Sequence, residues 1–196
     1  MKGLYLARQR FFGLRPQNDA VAMLEIQTAR LRLVALTSKQ LELYLTFPEQ
    51  LEQILGVSVS REVRTDTVER AIRMKLSKMA QADEKYHAWY TYWLVIVTSQ
   101  IYGAGLAGFK GVPDSQGEVE IGYGIAPAFQ GKGYITEAVQ ALVTWAFQTP
   151  ECRSVIAPHT KRSNVASNRV LRKVRMRAYA ETTEDISWRI DKMFAS

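Results

Sequence analysis

The stretch Gln130-Gly131-Lys132-Gly133-Tyr134 decides the fold of this chain. Before it, residues 119–125 alternate in the pattern of a strand, and after it, residues 136–147 carry apolar side chains at helical spacing. Glycines allow the main chain to approach a ligand closely, and the first N–H groups of a helix lack intrahelical partners and carry a partial positive charge. The loop is therefore suited to hold a pyrophosphate, and we expect a ligand that carries phosphates.

Three kinds of phosphate-binding loop compete for this stretch. A P-loop would need glycine where Ala126 stands and Ser or Thr after the lysine, where Gly133 stands, so no hydroxyl is placed for magnesium. A dinucleotide fingerprint starting at Gly131 would have Thr136 as its third glycine, and no acidic residue ends a following strand in the expected place. The third pattern is an acyl-carrier loop (Gln or Arg, two residues, Gly, one residue, Gly or Ala), which Gln130 and Gly133 fit.

Four segments, in family order, resemble the GNAT N-acetyltransferases and, within them, the ribosomal-protein (Rim-like) branch. These segments are residues 106–110, 118–123, 130–138 and 164–171. The resemblance extends from about residue 28 to residue 190, which is most of the chain. The chain departs from the family pattern in two places. Ile135 stands where Gly or Ala is usual, and Arg175-Met176 replace Gly-Phe after the last helix.

The resemblance implies a GNAT fold of the α/β (α+β) class. We expect a single domain with a mixed, mostly antiparallel central sheet of about six to seven strands, flanked by helices and splayed between the fourth and fifth strands. Apolar periodicity agrees with this order of elements. It predicts strands over residues 28–36, 92–98, 104–110, 118–125, 153–157, 176–182 and 186–190, and helices over residues 38–46, 49–55, 65–82, 136–147 and 164–174.

By the same resemblance, we expect an acyltransferase, namely an N-acetyltransferase that moves an acetyl group from acetyl-CoA to a primary amine. Direct attack in a ternary complex is the expected route. The acceptor is a protein N-terminus or a small-molecule amine, and fold-level analogy does not choose between them. Acetyl-CoA is the expected cosubstrate. No metal is expected, because two histidines and one cysteine are too few for a typical zinc site.

The expected contacts with acetyl-CoA centre on the glycine loop. The cofactor-binding residues implied by the resemblance are Ile125, Ala126, Gln130, Gly131, Lys132, Gly133, Tyr134, Ile135, Thr136 and Asn164. The backbone of residues 123–126 is expected to pair with the pantetheine arm, and a main-chain N–H near Ile125 is expected to polarise the thioester carbonyl. A group of basic residues could reach the ribose 3′-phosphate or form a solvated face. Its members are Lys161, Arg162, Arg169, Arg172 and Lys173.

Acetyl transfer requires an uncharged amine, a polarised carbonyl and protonation of the leaving thiolate. Glu120 is the first candidate for the base, because it lies on the strand that leads into the loop and because aromatic neighbours can raise the pKa of a carboxyl group. Glu118 on the same strand is its rival. Glu120 could instead tie the strand to a neighbouring arginine or backbone group, and the amine could also lose its proton to water.

The group that protonates the thiolate must come from a position other than the one that many family members use. Many family members carry a tyrosine on the last helix, but Leu171 occupies the matching position here. Asn164 and Ser167 lie one helical turn apart, and in the Rim-like branch the matching pair approaches the acetyl and sulfur end of the cofactor. Both are therefore candidate catalytic residues, with helix capping and tight packing as the structural alternatives. His159 could bind or deprotonate the acceptor.

Bulk composition fits one domain without a membrane anchor. The chain has 196 residues, of which 47% are hydrophobic, and no apolar stretch approaches the ~20 residues that cross a bilayer. The single cysteine, Cys152, cannot form an internal disulfide, which fits the reducing cytoplasm, and we expect a buried, inert thiol. The expected partners are the amine acceptor and a second copy of the chain in a homodimer.

Much of the formal net charge of +7 lies near the N-terminus. Residues 1–22 hold four basic side chains against one acidic side chain, so we interpret them as a basic N-terminal extension. The GNAT acetyltransferase domain then spans residues 23–196. The extension could be an arm for nucleic acid or the ribosome, a targeting peptide or a product of translation start choice, and we favour a dispensable segment.

Three classes of function remain open. The first is acetyl transfer, which rests on the four ordered segments. The second is a protein that binds acetyl-CoA without catalysis, which the departures at Ile135 and Leu171 favour. The third is a basic nucleic-acid-binding module, which rests on net charge alone. Nucleic acid is not an expected partner, because the sequence has no evident aromatic and basic recognition motif or DNA-binding helix pair.

Overall fold

The structure is a computed structural model that describes residues 7–10 and 23–193. Its helices are α1 (Ser38–Thr46), α2 (Pro48–Leu55), α3 (Asp66–Met79), α4 (His87–Tyr90), α5 (Tyr134–Ala146) and α6 (Val165–Lys173). Its strands are β1 (Ala7–Arg10), β2 (Met23–Gln27), β3 (Leu31–Ala35), β4 (Ser58–Val59), β5 (Trp93–Val97), β6 (Tyr102–Phe109), β7 (Glu118–Ile125), β8 (Ser154–Lys161), β9 (Arg177–Glu181) and β10 (Asp185–Asp191). No described helix is both long enough and apolar enough to cross a membrane. Apart from the backbone of β1, the predicted extension over residues 1–22 lies outside the described residues.

One open sheet organises the molecule. Its strands follow the order β1-β2-β3-β5-β6-β7-β8-β10-β9, and β4 adds a two-residue parallel bridge to β6. Along the main path, β7 and β8 are parallel and the other neighbours are antiparallel. The predicted class, a mixed and mostly antiparallel sheet flanked by helices, is confirmed. The described residues form more strands than expected, because residues 7–10, 23–27 and 58–59 also pair.

The first predicted strand, over residues 28–36, is β3 at Leu31–Ala35, and its first residues instead form the turn of a hairpin with β2. β2 pairs with β3, and the two strands are joined by a turn at Thr28. The N–H of Thr28 donates to the carbonyl of Leu31 (2.9 Å), and the Thr28 hydroxyl accepts from the Leu31 N–H (3.0 Å). The sequence pattern gave no sign of this turn, because residues 28–30 continue the alternation of polar and apolar side chains that begins the strand.

β7 and β8 separate after a short parallel contact. Among the described residues, they pair only over Glu118 to Glu120 and Ser154 to Ile156, whereas β7 stays paired with β6 as far as Ile125. The other edge of residues 121–125 therefore faces a gap. These strands are the fourth and fifth of the predicted series, so the splay lies where the resemblance placed it.

An aromatic cluster fixes α5 against the sheet. Trp145 on α5 packs against Trp89, Trp93 and Phe109, with ring centroids 4.5, 5.2 and 5.9 Å away. Trp93 and Phe109 are completely buried. Such aromatic pairs contribute about 0.5–1.5 kcal/mol each beyond the burial of apolar area. The cluster therefore holds α5 in a fixed position at the end of β7.

The buried side chain of Lys75 joins α3 to the sheet through hydrogen bonds. Its Nζ donates hydrogen bonds to the carbonyls of Tyr90 (3.1 Å), Thr91 (3.1 Å) and Phe109 (2.5 Å). Burial, followed by the charges of two neighbouring lysines, lowers the pKa of Lys75 to about 7. Three carbonyl acceptors compensate the buried ammonium group for lost water. The contact sets the position of α3 relative to β6.

Candidate functional site

The glycine loop leaves a run of backbone donors free. Gly131 and Gly133 have φ values of +75° and +82°, a conformation that glycine adopts without strain. α5 follows at once and has no side-chain cap. Within residues 7–10 and 23–193, no group accepts a hydrogen bond from the N–H groups of Gly131 through Thr136. Consecutive free donors at the positive end of a helix dipole favour an anion.

These donors open onto a cavity of about 420 Å³. It is bounded by the end of β7, the glycine loop, the first turn of α5 and one face of α6. The predicted site residues that line it are Ile125, Gln130, Gly131, Gly133, Tyr134, Ile135, Thr136, Asn164 and Ser167. The cavity thus brings together residues from three separate segments of the chain.

The unpaired edge of β7 extends this cavity into the gap in the sheet. The N–H of Lys110 donates to the carbonyl of Glu120 (2.9 Å), so the backbone groups of Glu120 face β6. Backbone groups alternate sides along a strand, and Tyr123 and Ile125 therefore direct theirs into the gap. An extended ligand with amide groups can pair with such an edge as an added strand does.

Side chains of β7 alternate between the two faces of the sheet. Tyr123 and Ile125 line the cavity on one face. Glu120 and Gly122 lie on the other face, where a Cβ built on Gly122 would meet no atom of the described residues within 4 Å. β7 therefore offers a ligand cavity on one face and open space on the other, at nearly the same point along the strand.

Two hydroxyl groups meet at the wall of the cavity. The Tyr123 hydroxyl lies 2.9 Å from Ser167 Oγ and 3.4 Å from the Ser167 carbonyl oxygen. Burial raises the pKa of Tyr123 to about 12, although the hydrogen bond with Ser167 acts in the opposite direction. Tyr123 therefore stays protonated at neutral pH. The sequence pattern predicted Ser167 as a site residue but only the backbone of Tyr123, because side-chain alternation indicates a face and not a partner 44 residues away.

Asn164 caps α6 with its side chain. Its Oδ1 accepts a hydrogen bond from the N–H of Ser167 (3.0 Å), and the residue also lines the cavity. Its Nδ2 group donates to no acceptor among the residues that the structure describes. The oxygen thus serves the helix, while the amide nitrogen is the part of Asn164 that can reach a ligand.

Both candidate bases are held in ion pairs. Glu120 pairs with Lys110, and Glu118 pairs with Arg189. Neither carboxylate lines the cavity. The ion pair at Glu120 corresponds to the structural alternative for this residue, with a lysine as the basic partner. Lys110 keeps 65% of its side chain exposed, so it can leave the carboxylate without disturbing buried contacts.

Two other predicted contacts do not line the cavity. Ala126 is only 1% exposed, and its N–H donates to the carbonyl of Ala104 (2.9 Å). Lys132 lies with its Nζ 5.4 Å from the centre of the Phe129 ring, and its carbonyl accepts from Arg30 (3.0 Å). The backbone N–H of Lys132 is therefore the group of this residue that belongs to the free donors, whereas the N–H of Ala126 is already bonded within the sheet.

The departures from the family pattern have local explanations. Ile135 lines the cavity but is only 7% exposed, and its N–H stays among the free donors, whereas Leu171 is completely buried and does not line the cavity. Arg175 has a φ of +66°, the conformation for which glycine is usual. Its N–H donates to Arg172, and the N–H of Met176 donates to Leu171, which closes α6 in a Schellman motif. Arg175 therefore takes up strain that the family's glycine avoids.

Two of the five members of the basic group line the cavity. Arg169 and Lys173 line the cavity, which places them near an anionic ligand. Arg162 instead pairs with Glu181 (2.5 Å), and the guanidinium of Arg172 lies 5.5 Å from the Trp188 ring. Only two of the predicted cations are thus positioned to serve the cavity.

The remaining sequence candidates lie away from the cavity. His159 is 81% exposed, with its Nδ1 3.9 Å from Asp185. Cys152 is buried, and burial raises the pKa of its thiol to about 11, which leaves it unreactive at neutral pH. The described residues hold no cluster of His, Cys, Asp or Glu that could bind a metal ion.

Comparison with known proteins agrees with this geometry. The profile of the acetyltransferase (GNAT) domain matches residues 30–177. Over 82 residues the chain is 33% identical to an uncharacterised N-acetyltransferase, YjdG, of Bacillus subtilis (strain 168), and the match covers 42% of this chain and 48% of that protein. The chain thus matches about half the length of this curated relative.

Solved structures share the fold at low sequence identity. RimL, a ribosomal L7/L12 alpha-N-protein acetyltransferase in apo crystal form I, matches with a TM-score of 0.61 at 18% identity, over 92% of this chain and 100% of that chain. The microcin C7 self-immunity acetyltransferase MccE, solved with acetyl-CoA and AMP, matches with a TM-score of 0.57 at 16% identity, over 84% of this chain and 94% of that chain. At these identities the likeness concerns the fold alone.

Proposed function

The chain belongs to the GNAT acetyltransferase family, and we propose that it moves the acetyl group of acetyl-CoA to a primary amine by direct attack in a ternary complex. The observation that carries the proposal is the run of free N–H groups from Gly131 to Thr136. This run opens onto the same cavity as the unpaired edge of β7. The N–H groups can donate hydrogen bonds to a diphosphate, and the adjoining free strand edge can pair with an arm that carries amide groups.

The cavity fits the successive parts of acetyl-CoA. The free donors of residues 131–136 suit the diphosphate. The free backbone groups of Tyr123 and Ile125 suit the amides of the pantetheine arm. Arg169 and Lys173 add positive charge on the α6 side, where a further phosphate would be favoured. When bound, acetyl-CoA supplies an acyl group activated as a thioester.

On the cavity face of β7, we assign the leaving-group side of the reaction to Ser167 and Tyr123. Ser167 donates a hydrogen bond to the sulfur of the ligand as negative charge develops on the leaving thiolate, and Tyr123 holds the Ser167 hydroxyl in place. Together they supply the hydroxyl that Leu171 cannot supply. The N–H of Ile125 faces the gap and donates to the acyl carbonyl, where negative charge develops. Asn164 supports this end through its free amide nitrogen.

On the opposite face of β7, we assign the amine side of the reaction to Glu120. The open space at Gly122 leaves room for an acceptor, and Glu120 lies two positions away on the same face. Glu120 accepts the amine proton once Lys110 has left the carboxylate. An exposed ion pair contributes roughly 0–1 kcal/mol, so its opening is a small barrier compared with the chemistry.

We propose a protein N-terminus as the acceptor. RimL, which shares this fold across its whole length, is by name an alpha-N-protein acetyltransferase of a ribosomal protein. The open face at Gly122 also suits a chain end that continues out of the site. A small closed pocket, by contrast, would favour a free small-molecule amine.

Calorimetry with acetyl-CoA, followed by thiol release over a panel of N-terminal peptides, polyamines, amino acids and aminoglycosides, tests the proposal. We expect cofactor binding and turnover with peptides. Binding without turnover across the panel would favour a second function, an acetyl-CoA-binding protein without catalysis, which the ion pairs at Glu118 and Glu120 support. Absence of binding would contradict both functions.

A further inference from the structure

The turn between β2 and β3 contacts the first turn of α5 through one carboxylate. The Arg30 Nε donates to Glu137 Oε2 (2.7 Å), and the Arg30 backbone N–H donates to Oε1 of the same side chain (2.9 Å). The Thr28 hydroxyl also donates to Oε1 (2.6 Å). These contacts join residues 107 and 109 positions apart, so they couple the N-terminal hairpin to the glycine loop.

Arg30 also contacts the glycine loop itself. Its Nη1 donates to the carbonyl of Lys132 (3.0 Å), and its guanidinium lies 4.8 Å from the centre of the Tyr134 ring. Its Nη2 lies 3.4 Å from a Cβ built on Gly133. One guanidinium thus contacts Lys132 and Tyr134 and lies beside Gly133 between them, within the segment that carries the free donors.

The bond to Lys132 decides where the next donor points. The carbonyl of Lys132 and the N–H of Gly133 belong to one planar trans peptide, so they point in opposite directions. Arg30 does not line the cavity, whereas Gly133 does. Holding the carbonyl toward Arg30 therefore turns the Gly133 N–H away from Arg30 and toward the cavity.

The contacts of Thr28 and Arg30 with Glu137 keep its carboxylate away from the free N–H groups at the start of α5. An acidic side chain in the first turn of a helix is attracted to the free N–H groups there. Such a carboxylate would compete with a phosphate for the donors of α5. Burial opposes ionisation of Glu137, but the hydrogen bonds from Thr28 and Arg30 outweigh it and hold its pKa below the ordinary value of 4.5. Glu137 is thus a carboxylate that is directed at Arg30 instead of the donors.

We propose that Arg30 is a positioning residue for the diphosphate of CoA. It fixes the peptide between Lys132 and Gly133 so that the Gly133 N–H faces the ligand, and with Thr28 it keeps the Glu137 carboxylate away from the free donors. The proposal rests on the proposed function, because it concerns the same ligand. Since Glu137 neutralises the guanidinium, Arg30 acts by orientation and not by adding charge to the site.

Binding of CoA by calorimetry and of pantetheine by ligand-observed NMR tests this role, because pantetheine lacks the diphosphate. We expect Arg30→Met to weaken CoA binding roughly 10- to 100-fold, as for loss of a hydrogen bond from a charged group, and to leave pantetheine binding unchanged. Arg30→Lys should not restore CoA binding, because an ammonium cannot bond to a carboxylate and a carbonyl in the geometry of the guanidinium fork.

Arg32→Met is the matched control. Arg32 lies on β3 next to the turn and pairs with Glu25 (3.5 Å), on β2. This variant should keep the CoA affinity of the unmodified protein. If Arg30→Met does not fold, Thr28→Val decides. It removes one donor to Glu137 and the acceptor of the Leu31 N–H at nearly constant volume, and it should weaken CoA binding a few-fold while pantetheine binding stays unchanged.

The outcomes separate this proposal from the proposed function. If the unmodified protein binds no CoA, the proposed function fails. If it binds CoA and Arg30→Met binds equally tightly, the positioning role is wrong and the proposed function stands. Equal weakening by Arg30→Met and Arg32→Met, or a parallel loss of pantetheine binding, would indicate general destabilisation and would also overturn the positioning role.

Discussion

The starts of α5 and α6 lie on two sides of one cavity and are built in opposite ways. α5 follows Gly133, which has no side chain to offer, and its first N–H groups bond to no described residue. α6 follows Asn164, whose Oδ1 accepts the N–H of Ser167 (3.0 Å). The start of α5 leaves its N–H groups free for a ligand. The start of α6 instead bonds one of its N–H groups to the Asn164 side chain and contributes side chains to the cavity.

The other helix starts are either capped by a side chain or lie away from the cavity. α1 begins with a complete capping box formed by Thr37 and Gln40, and α3 begins with Thr65 as its cap. α2 and α4 also lack a side-chain cap, but neither helix lines the cavity. Among the helices that the structure describes, only α5 has a glycine at a cap position next to the cavity, and there the acidic side chain of the first turn, Glu137, is held by Arg30. A helix start without a side-chain cap thus indicates an anion-binding site when the surrounding structure also keeps acidic side chains away from its free N–H groups.

Closing the open start should produce the largest effect. Gly133→Glu places a side chain in a left-handed conformation, which costs about 1–3 kcal/mol, and directs a carboxylate at the Arg30 guanidinium, whose Nη2 lies 3.4 Å from the Cβ position, so that it competes with Glu137 and the Lys132 carbonyl for Arg30. We expect CoA affinity, measured by calorimetry, to fall at least about 100-fold.

Gly56→Glu is the control for Gly133→Glu. Gly56 ends α2 with a φ of +65° and open space around its Cβ position. The same strain and charge at this site should lower the melting temperature and leave CoA affinity unchanged. Unchanged affinity in Gly133→Glu would place the phosphate site elsewhere.

The start of α6 should matter for turnover more than for affinity. Ser167→Ala removes the hydroxyl that we assign to the thiol end, so kcat should fall about 100-fold while the dissociation constant of CoA changes little. Tyr123→Phe should lower kcat less, about tenfold, because Ser167 remains. Tyr179→Phe, at an exposed tyrosine of β9, is the control. Full activity of Ser167→Ala would remove Ser167 from the mechanism.

Removing the cap of α6 should affect stability. Asn164→Ala should cost about 1 kcal/mol, or about 2–4 °C in melting temperature. Thr65→Ala removes the corresponding cap of α3, where the Thr65 hydroxyl accepts the N–H of Val68 (3.3 Å). The two variants should destabilise similarly. If Asn164 also contacts the cofactor, Asn164→Ala should lose CoA affinity several-fold, whereas Thr65→Ala should not. Equal CoA affinity in the two variants would mean that Asn164 serves only as the cap of α6.

The far end of α6 offers a small stabilisation. A non-glycine residue in the left-handed conformation costs about 1–2 kcal/mol, while glycine loses about 0.5–1 kcal/mol more conformational entropy on folding. Arg175→Gly should therefore raise the free energy of unfolding by about 0.5 kcal/mol in urea titrations. Arg172→Gly, within the helix, should lower it by about 1 kcal/mol. A destabilised Arg175→Gly variant would contradict the strain at this position.

The smallest effect should appear in the pH dependence of stability. The folded pKa of Glu137 lies below its unfolded value, so its ion pair stabilises the protein above the ordinary carboxyl pKa, and this contribution is lost as the pH falls through the folded pKa. Melting curves between about pH 5 and pH 3 should fall less steeply for Glu137→Gln than for the unmodified protein. Glu184→Gln, at an exposed carboxylate, should leave the slope unchanged.

The order of elements and the glycine loop were predictable because they depend on local patterns. The helix predicted over residues 38–46 is α1, residue for residue, and the strand over residues 118–125 is β7. The free donors at residues 131–136 follow from glycine conformation and from the position of a helix start. Each of these features is encoded within a few residues of sequence.

The side-chain partnerships were not predictable, because they depend on how distant elements pack. Alternation along β7 assigns Tyr123 to a face, but only the packing of α6 brings Ser167 to it. The pairing of Glu120 with Lys110 depends on the register between β6 and β7. The contact of Arg30 with α5 requires the hairpin turn that alternation concealed.

A crystal structure with CoA tests the difference between the two helix starts most directly. We predict that the diphosphate oxygens lie about 3 Å from backbone nitrogens between Gly131 and Thr136, and that the Asn164 cap of α6 stays closed. Phosphate density at the start of α6 or elsewhere on the protein, with the donors of α5 facing solvent, would contradict the account.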